Sequence, residues 1–124
     1  MAFRKILVVD NDEAVLAFMH AKLGARFGVV GTTDPQKVIA LARAEQPDLI
    51  LCDIEMPGMD GGDLSAAVYG EDDLRDIPVL FLTALVSRDE LRAQRDQLGG
   101  RPAISKDAPV AELVARIESL IDTG

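Results

Sequence analysis

Short, almost uninterrupted runs of apolar residues alternate along the chain with longer amphipathic segments. The runs cover residues 5–9, 27–30, 48–52, 78–82 and 103–105. Because Ile, Leu and Val follow one another in these runs instead of alternating with polar residues, we expect strands that are covered on both faces. Strands and helices that alternate in this way predict a parallel sheet with right-handed crossovers. The sequence therefore predicts an α/β fold of (βα)5 type, with helices on both faces of the sheet.

The segments between the runs carry apolar residues at helical spacing. These are Val15, Phe18, Met19 and Leu23 in the first segment, Val38, Leu41 and Ala42 in the second, and Val110, Leu113, Val114, Ile117 and Ile121 in the fifth. The third segment, about residues 62–69, is short. The fourth opens on a capping-box pattern from Ser87 to Glu90 but offers only Leu91 and Leu98 as large apolar residues. We therefore expect the fourth helix to be the least stable and the most able to move.

Composition narrows the class of protein. A chain of 124 residues fits one domain, residues 1–124, and a hydrophobic content of 48% is enough for a core. The net charge of −8 argues against direct binding of nucleic acid through a basic surface. The single cysteine, Cys52, lies in an apolar run and is expected to be a buried structural thiol. The chain has no signal-peptide pattern and no apolar run near the ~20 residues that cross a membrane, so we expect a cytoplasmic protein without a membrane partner.

Polar residues follow four of the predicted strands, at the edge where open α/β sheets bind their ligands. They are Asp10, Asp53, Thr83 and Lys106. Crowded carboxylates repel unless a cation lies between them, and Mg²⁺ prefers such hard oxygen ligands. A lysine in the same pocket indicates that an anionic group also binds there, to which a threonine hydroxyl could donate. The combination indicates phosphoryl transfer onto a carboxylate, with the metal and the ammonium neutralising charge.

Each of these residues also has a purely structural interpretation. Asp10 could cap the first helix, Asp53 could be a turn residue, Thr83 could cap the loop before the fourth helix, and Lys106 could be surface charge. The apolar pair Leu85-Val86 would either contact a partner or pack under the fourth helix. The sequence by itself leaves these interpretations open.

Four short motifs occur in order at the predicted strand ends. They are Val8-Val9-Asp10-Asn11-Asp12, Asp53-Ile54-Glu55-Met56-Pro57-Gly58-Met59-Asp60-Gly61, Leu82-Thr83-Ala84 and Ser105-Lys106. Together they resemble the receiver domain of the two-component response-regulator family, and the resemblance covers essentially the whole chain. It implies a flavodoxin-like, doubly wound (βα)5 fold whose five-stranded parallel sheet has the order 2-1-3-4-5.

The resemblance also implies the roles of the site residues. Asp53 would accept a phosphoryl group, which Thr83 and Lys106 would contact. Mg²⁺ would be bound by Asp10, Asn11, Asp53 and the backbone carbonyl of Glu55. The phosphoryl donor would be a sensor histidine kinase or a phosphotransfer protein. Such a signalling switch is not an enzyme in the ordinary sense, because it catalyses only its own phosphorylation and dephosphorylation.

Three positions depart from the family pattern. Asn11 stands where the family usually has a second acid, so we expect weaker metal binding, and Asp12 is a possible but less favoured replacement. Ala103 stands where an aromatic side chain usually rotates on phosphorylation, so the signal has to travel by another route, such as a shift of the fourth helix. Asp107 replaces the usual proline after Lys106, and we expect a trans peptide there because a non-proline cis bond costs about 2.5–4 kcal/mol.

Three functions are compatible with these residues. The leading one is a phosphorylation switch that changes the surface formed by the fourth helix, the fifth strand and the fifth helix. That surface would bind a downstream protein, an output domain outside this sequence or a second copy of the chain as a homodimer. The alternative is a degenerate receiver that binds a protein partner without phosphorylation. A phosphatase of the haloacid-dehalogenase type, with Asp10 as the nucleophile, is disfavoured because the chain has no room for a cap domain and Ala14 breaks the pattern of such enzymes.

Overall fold

The apolar runs form a sheet at the centre of the molecule. The computed structural model describes residues 4–56, 61–98 and 100–122. Its strands are β1 (Lys5–Val9), β2 (Gly28–Thr32), β3 (Leu49–Asp53), β4 (Val79–Thr83), β5 (Gln97–Leu98) and β6 (Arg101–Ser105). Its α-helices are α1 (Glu13–Leu23), α2 (Val38–Glu45), α3 (Gly61–Tyr69), α4 (Arg88–Ala93) and α5 (Val110–Asp122), and a 3₁₀ turn at Pro35–Lys37 precedes α2.

The sheet order is β2-β1-β3-β4-β6-β5. The pairings β1–β2, β1–β3, β3–β4 and β4–β6 are parallel, as continuous apolar runs predict. The predicted fifth strand is β6, so the parallel part of the sheet has the expected order and the flavodoxin-like α/β class is confirmed. The prediction of a five-stranded sheet was one strand short, because β5 pairs antiparallel with β6 at its edge.

Strand β5 takes the place of the second half of the predicted fourth helix. Helix α4 ends at Ala93, and Arg95 and Asp96 then adopt φ values of 59° and 57°. Successive left-handed residues cannot continue a right-handed helix. The Asp96 N–H donates to the Leu91 carbonyl at 2.7 Å, and the Asp96 carbonyl accepts from the Ala103 N–H at 2.9 Å. The chain therefore turns back onto the sheet, and Leu98 lies in a strand and not in the helix assigned to it from sequence.

Two apolar layers fill the space between the sheet and its helices. One layer packs α2, α3 and α4 against one face of the sheet; it includes Leu7, Val9, Val38, Ile50, Leu64, Val68, Phe81, Leu91 and Ala103. The other packs α1 and α5 against the opposite face; it includes Ile6, Val8, Met19, Leu23, Leu51, Leu82, Leu113 and Ile117. Successive strand residues point to opposite faces, which is why neighbours such as Leu7 and Val8 fall in different layers. Burial on both faces holds the strand ends in fixed positions.

Helix α1 differs from the predicted pattern at one position. Met19 and Leu23 are buried and Val15 and Leu16 pack against the core, but Phe18 is 48% exposed. Phe18 is one residue before Met19 and is therefore rotated about 100° away from the buried stripe. The assignment of Phe18 to the core was wrong, and its ring lies 5.9 Å from the Lys22 ammonium instead.

Helix α4 begins as the sequence predicts and is thinly anchored. The Ser87 hydroxyl accepts from the Glu90 N–H at 3.2 Å, and the Glu90 carboxylate accepts from the Ser87 N–H at 3.3 Å, which together form a capping box. Of the six residues of α4, Leu91 is the buried one. No helix of the described ranges is long and apolar enough to cross a membrane.

Candidate functional site

The carboxyl ends of four parallel strands bring the predicted site residues together. Asp10 directly follows β1, Asp53 and Thr83 are the last residues of β3 and β4, and Lys106 directly follows β6. Asp10, Asp53 and Thr83 are 0%, 2% and 1% exposed. Parallel pairing fixes the spacing of these residues, because a strand that slipped by one residue would turn its apolar side chains to the wrong face.

Lys106 supplies the positive charge between the two buried acids. Its ammonium Nζ lies 3.1 Å from Asp10 Oδ2 and 3.6 Å from Asp53 Oδ2. The Lys106 side chain is 26% exposed, so its stem is covered and its head points into the site. The interpretation of Lys106 as plain surface charge therefore does not describe this structure.

Backbone N–H groups hold the other oxygen of each acid. The Asp12 N–H donates to Asp10 Oδ1 at 2.9 Å, and the Glu55 N–H donates to Asp53 Oδ1 at 3.0 Å. Each carboxylate is thus oriented by the loop that follows its strand, and its Oδ2 atom faces the ammonium. Asp53 is not merely a turn residue, since its second oxygen is directed into the shared site.

Burial sets the ionisation of the site. Desolvation raises the pKa of Asp53 above its ordinary value, and the negative charge of Asp10 adds to this, whereas the Glu55 N–H and Lys106 oppose it. Burial lowers the pKa of Lys106, but its hydrogen bond and attraction to Asp10, together with Asp53, outweigh burial and raise it above the ordinary value. The site therefore keeps its ammonium charged while it makes ionised Asp53 costly.

Thr83 is engaged on both sides. Its hydroxyl donates to Glu55 Oε1 at 2.7 Å and accepts from the Leu85 N–H at 3.1 Å. The structural interpretation of Thr83 as a cap of the following loop is therefore correct, and it coexists with a position beside the acids. The contact with the Glu55 side chain was missed from sequence, because it joins residues 28 positions apart.

The loop after β1 separates the roles of its three polar residues. The Asp12 carboxylate accepts from the Ala14 N–H at 2.9 Å and is the N-cap of α1. Asp12 and not Asp10 is therefore the N-cap of that helix, contrary to the structural interpretation of Asp10. Asn11, the residue directly after Asp10, is exposed to solvent.

The structure also shows the surroundings of Ala103 and Asp107, the other two positions that depart from the family pattern. Ala103 is 1% exposed and packs in the layer that contains Phe81 and Leu91. The Lys106–Asp107 peptide is trans, as predicted, since no cis bond occurs in the described ranges. The Pro57-Gly58-Met59-Asp60 part of the acceptor motif lies outside the described residues.

The oxygen atoms of the site match the preferences of Mg²⁺. Asp10 Oδ2 is fully buried and has no hydrogen bond of good geometry beyond its ion pair with Lys106, and Asp53 Oδ2 faces the same ammonium. Hard carboxylate oxygens with an adjacent backbone carbonyl are typical magnesium ligands. The described residues contain no cluster of three or more His, Cys, Asp or Glu side chains that could hold a metal.

Known proteins resemble this chain in both sequence and fold. The sequence model described as "Response regulator receiver domain" matches residues 6–118. The response regulator PleD of Caulobacter vibrioides is 38% identical over 117 residues, which cover 94% of this chain and 26% of PleD. The transcriptional regulatory protein PrrA of Mycobacterium tuberculosis is 35% identical over 118 residues, which cover 94% of this chain and 49% of PrrA. The chain thus spans about a quarter to a half of these curated relatives.

Solved structures agree on the fold. The chemotaxis protein CheY4 of Vibrio cholerae superposes with a TM-score of 0.80 at 24% identity, covering 96% of this chain and 99% of that one. A response regulator receiver domain protein of Clostridium thermocellum gives a TM-score of 0.80 at 19% identity, covering 98% and 96%. With a family match over residues 6–118 and relatives above one-third identity, the chain belongs to the receiver domains of two-component response regulators.

Proposed function

We propose that this receiver domain accepts a phosphoryl group on Asp53 from a sensor histidine kinase or a phosphotransfer protein. The observation that carries the proposal is the shared ammonium: Lys106 lies between the Oδ2 atoms of two buried acids from neighbouring strands. The Lys106 ammonium and the Thr83 hydroxyl can both turn to an incoming phosphoryl group, and a bound magnesium ion would offset the negative charge that the two acids retain. A receiver domain that takes its phosphoryl group from such a donor acts as a signalling switch and not as a conventional enzyme.

The chemistry follows from the orientation of Asp53. Its Oδ1 is held by the Glu55 N–H, so Oδ2 is the oxygen that attacks phosphorus. The new O–P bond forms as the bond from phosphorus to the donor breaks, and the donor leaves with that electron pair. Lys106 Nζ and the Thr83 hydroxyl then neutralise charge on the transferred group.

Magnesium fits this site and would be held by four groups. These are the side chains of Asp10, Asn11 and Asp53 and the backbone carbonyl of Glu55. When bound, the ion would neutralise the charge that the phosphoryl oxygens bring to two acids. Asn11 contributes a neutral oxygen where an acid would contribute charge, so we expect binding at millimolar concentrations to be measurable but weak.

The output surface is proposed to be formed by α4, β6 and α5. A cleft of about 300 Å³ lies there between α4 and α5, and its lining includes Ala103 and Ser105 of β6. Arg88 bridges the helices by donating to both carboxylate oxygens of Glu112, at 3.1 and 2.8 Å. A downstream protein, an output domain of a longer protein or a second copy of this chain would bind at this surface.

Intact-mass measurement tests the proposal directly. The protein is incubated with acetyl phosphate and Mg²⁺, and Asp53→Ala serves as the control. We expect a phosphoryl adduct that requires both Mg²⁺ and Asp53. An adduct that persists in Asp53→Ala, or one that forms equally well with Mg²⁺ chelated, would contradict the proposed chemistry.

A degenerate receiver is the second candidate function. The observation that favours it is the small, buried Ala103, which has no side-chain rotamer to report phosphorylation. Such a module would bind its partner equally well with and without phosphorylation. The absence of an adduct, together with no detectable Mg²⁺ binding at millimolar concentration, would select this function over the switch.

A further inference from the structure

The hydrogen bond between Thr83 and Glu55 occupies a group that the proposed reaction needs. The Thr83 hydroxyl donates to Glu55 Oε1 at 2.7 Å, within the range of short hydrogen bonds to a charged acceptor. A hydroxyl carries one hydrogen, so it makes one donated hydrogen bond at a time. Thr83 therefore cannot donate to Glu55 and to a phosphoryl oxygen on Asp53 together.

The same hydroxyl also fixes the loop between β4 and α4, residues 84–87. Its oxygen accepts from the Leu85 N–H at 3.1 Å. Both contacts use Thr83 Oγ1, so rotation about χ1 moves that atom and breaks the contact with Glu55 and the contact with Leu85 in one movement. Leu85 is 77% exposed, so this movement changes how a large apolar side chain is presented.

Glu55 has no cation of its own. Among the described residues no Lys, Arg or His nitrogen lies within 4.0 Å of its carboxylate, although Asp10 and Asp53 each face Lys106. The Thr83 hydroxyl is the side-chain donor that Glu55 is seen to use. Since the Glu55 side chain is partly exposed, it can turn to water once the hydroxyl leaves.

We propose that Glu55 is a positioning residue that competes with the phosphoryl group for the Thr83 hydroxyl. In the unphosphorylated protein Glu55 holds the hydroxyl and, through Leu85, the loop. An anion on Asp53 has to displace Glu55 before it gains that donor. Glu55 therefore disfavours the phosphorylated state, weakens the binding of phosphoryl analogues at Asp53, and keeps the loop in its resting position. This inference rests on the proposed function of Asp53.

The first test measures the competition with a phosphoryl analogue. Beryllium fluoride with Mg²⁺ is titrated into the wild type and Glu55→Ala, with Asp107→Ala as a control that removes an exposed acid near Lys106. We expect Glu55→Ala to lower the apparent dissociation constant about 3- to 10-fold, the effect of one partly exposed, charge-assisted hydrogen bond. Asp107→Ala should change it less than twofold. Equal effects of the two variants would reduce Glu55 to a simple negative charge and overturn the proposal.

A double-mutant cycle separates the hydrogen bond from the charge. In a Thr83→Ala background there is no hydroxyl to compete for, so adding Glu55→Ala should leave the dissociation constant unchanged. If Glu55→Ala tightens binding by the same factor with and without Thr83, the contact between the two residues has no part in the effect. That result would overturn the proposal.

A second measurement needs neither metal nor anion. Three-bond couplings report the χ1 angle of Thr83 in the metal-free protein, and the Leu85 amide shift reports its hydrogen bond. We expect one Thr83 rotamer in the wild type, rotamer averaging and a shifted Leu85 amide in Glu55→Ala, and no change in Asp107→Ala. An unchanged Thr83 rotamer in Glu55→Ala overturns the proposal even if beryllium fluoride binds. Failure of the wild type to bind beryllium fluoride, with the expected rotamer change present, rejects the function of Asp53 and leaves the resting contact established.

Discussion

Lys106 and the two acids it joins determine the charge balance of the site. Two carboxylates buried side by side would repel, and one would take up a proton unless a cation stabilised both. Lys106 provides that cation at 3.1 Å from Asp10 and 3.6 Å from Asp53. Its flexible stem allows the ammonium to move toward a phosphoryl oxygen when one arrives. The resting ion pairs and the proposed reaction thus use the same group in two positions.

The raised pKa of Asp53 makes a pH-dependent prediction about stability. Because the folded state holds the Asp53 proton more tightly than the unfolded chain does, this group's contribution is greatest at low pH and is lost as pH rises through its folded pKa. The side chain in Asp53→Asn cannot ionise, so this variant does not lose folding stability at this position as the pH rises. We expect Asp53→Asn to have a higher melting temperature than the wild type at pH 7 without metal, and the difference to shrink as pH falls toward about 4, near the ordinary pKa of Asp.

Thermal denaturation from pH 4 to 8 measures this effect. Asp107→Asn, which neutralises an exposed acid in the same region, is the matched control and should show little pH-dependent difference. A stabilisation by Asp53→Asn that is constant across this range would contradict the link to ionisation. A destabilisation at pH 7 would show that the ion pair with Lys106 outweighs burial.

At the scale of the elements, α4 is held by few contacts. Leu91 is its buried residue, and the ion pair from Arg88 to Glu112 connects its first turn to α5. The left-handed residues Arg95 and Asp96 end its continuation, and β5 ties the chain back to β6. Partly exposed ion pairs contribute little to stability, so the anchoring of α4 depends mainly on one apolar side chain.

Removing that side chain should detach the helix locally. Leu91→Ala deletes a fully buried leucine, a change that typically costs about 2–5 kcal/mol. We expect much faster amide hydrogen exchange in residues 88–98 and little change in β1 and β3, which pack on both faces. Arg92→Ala, whose side chain is 63% exposed, is the control on the same helix and should leave exchange nearly unchanged. Uniformly faster exchange throughout the sheet would instead show that α4 unfolds only with the whole domain.

For the whole molecule, the question is how an event at Asp53 reaches the surface formed by α4, β6 and α5. Ala103 offers no rotating side chain, but Thr83 connects the carboxyl end of β4 to residues 84–87, which lead into α4. A thinly anchored helix next to that loop is the element whose position a small movement of Thr83 can change. The proposed signal therefore passes along the backbone from β4 into α4.

Amide spectra test this route. On phosphorylation with acetyl phosphate and Mg²⁺, we expect two-state exchange and shift changes in residues 84–93. Smaller changes are expected in α2, which packs on the same face of the sheet but beside β1. Asp53→Ala under the same conditions should show none of these changes. An adduct by mass with unchanged α4 amides would eliminate α4 as the signalling element.

Local patterns predicted most of the fold and the position of the candidate site. Continuous apolar runs indicated parallel strands, and the residues directly after them, Asp10, Asp53, Thr83 and Lys106, indeed lie at one edge of the sheet. This works because the carboxyl ends of parallel strands share an edge whatever the loops do. The functions assigned to these residues remain predictions.

What sequence alone could not provide depends on contacts between distant parts of the chain. The bond from Thr83 to Glu55 and the exposure of Phe18 both follow from how finished elements pack. Strand β5 formed where helical spacing predicted more helix, because the left-handed residues Arg95 and Asp96 end α4 and the returning chain pairs with β6. Sequence by itself determined the five parallel strands, their order along the chain and the acids at their ends, since those depend on local periodicity. Tertiary structure added β5 and decided which distant side chains hold one another, since a hydrogen bond is fixed only when both partners are in place.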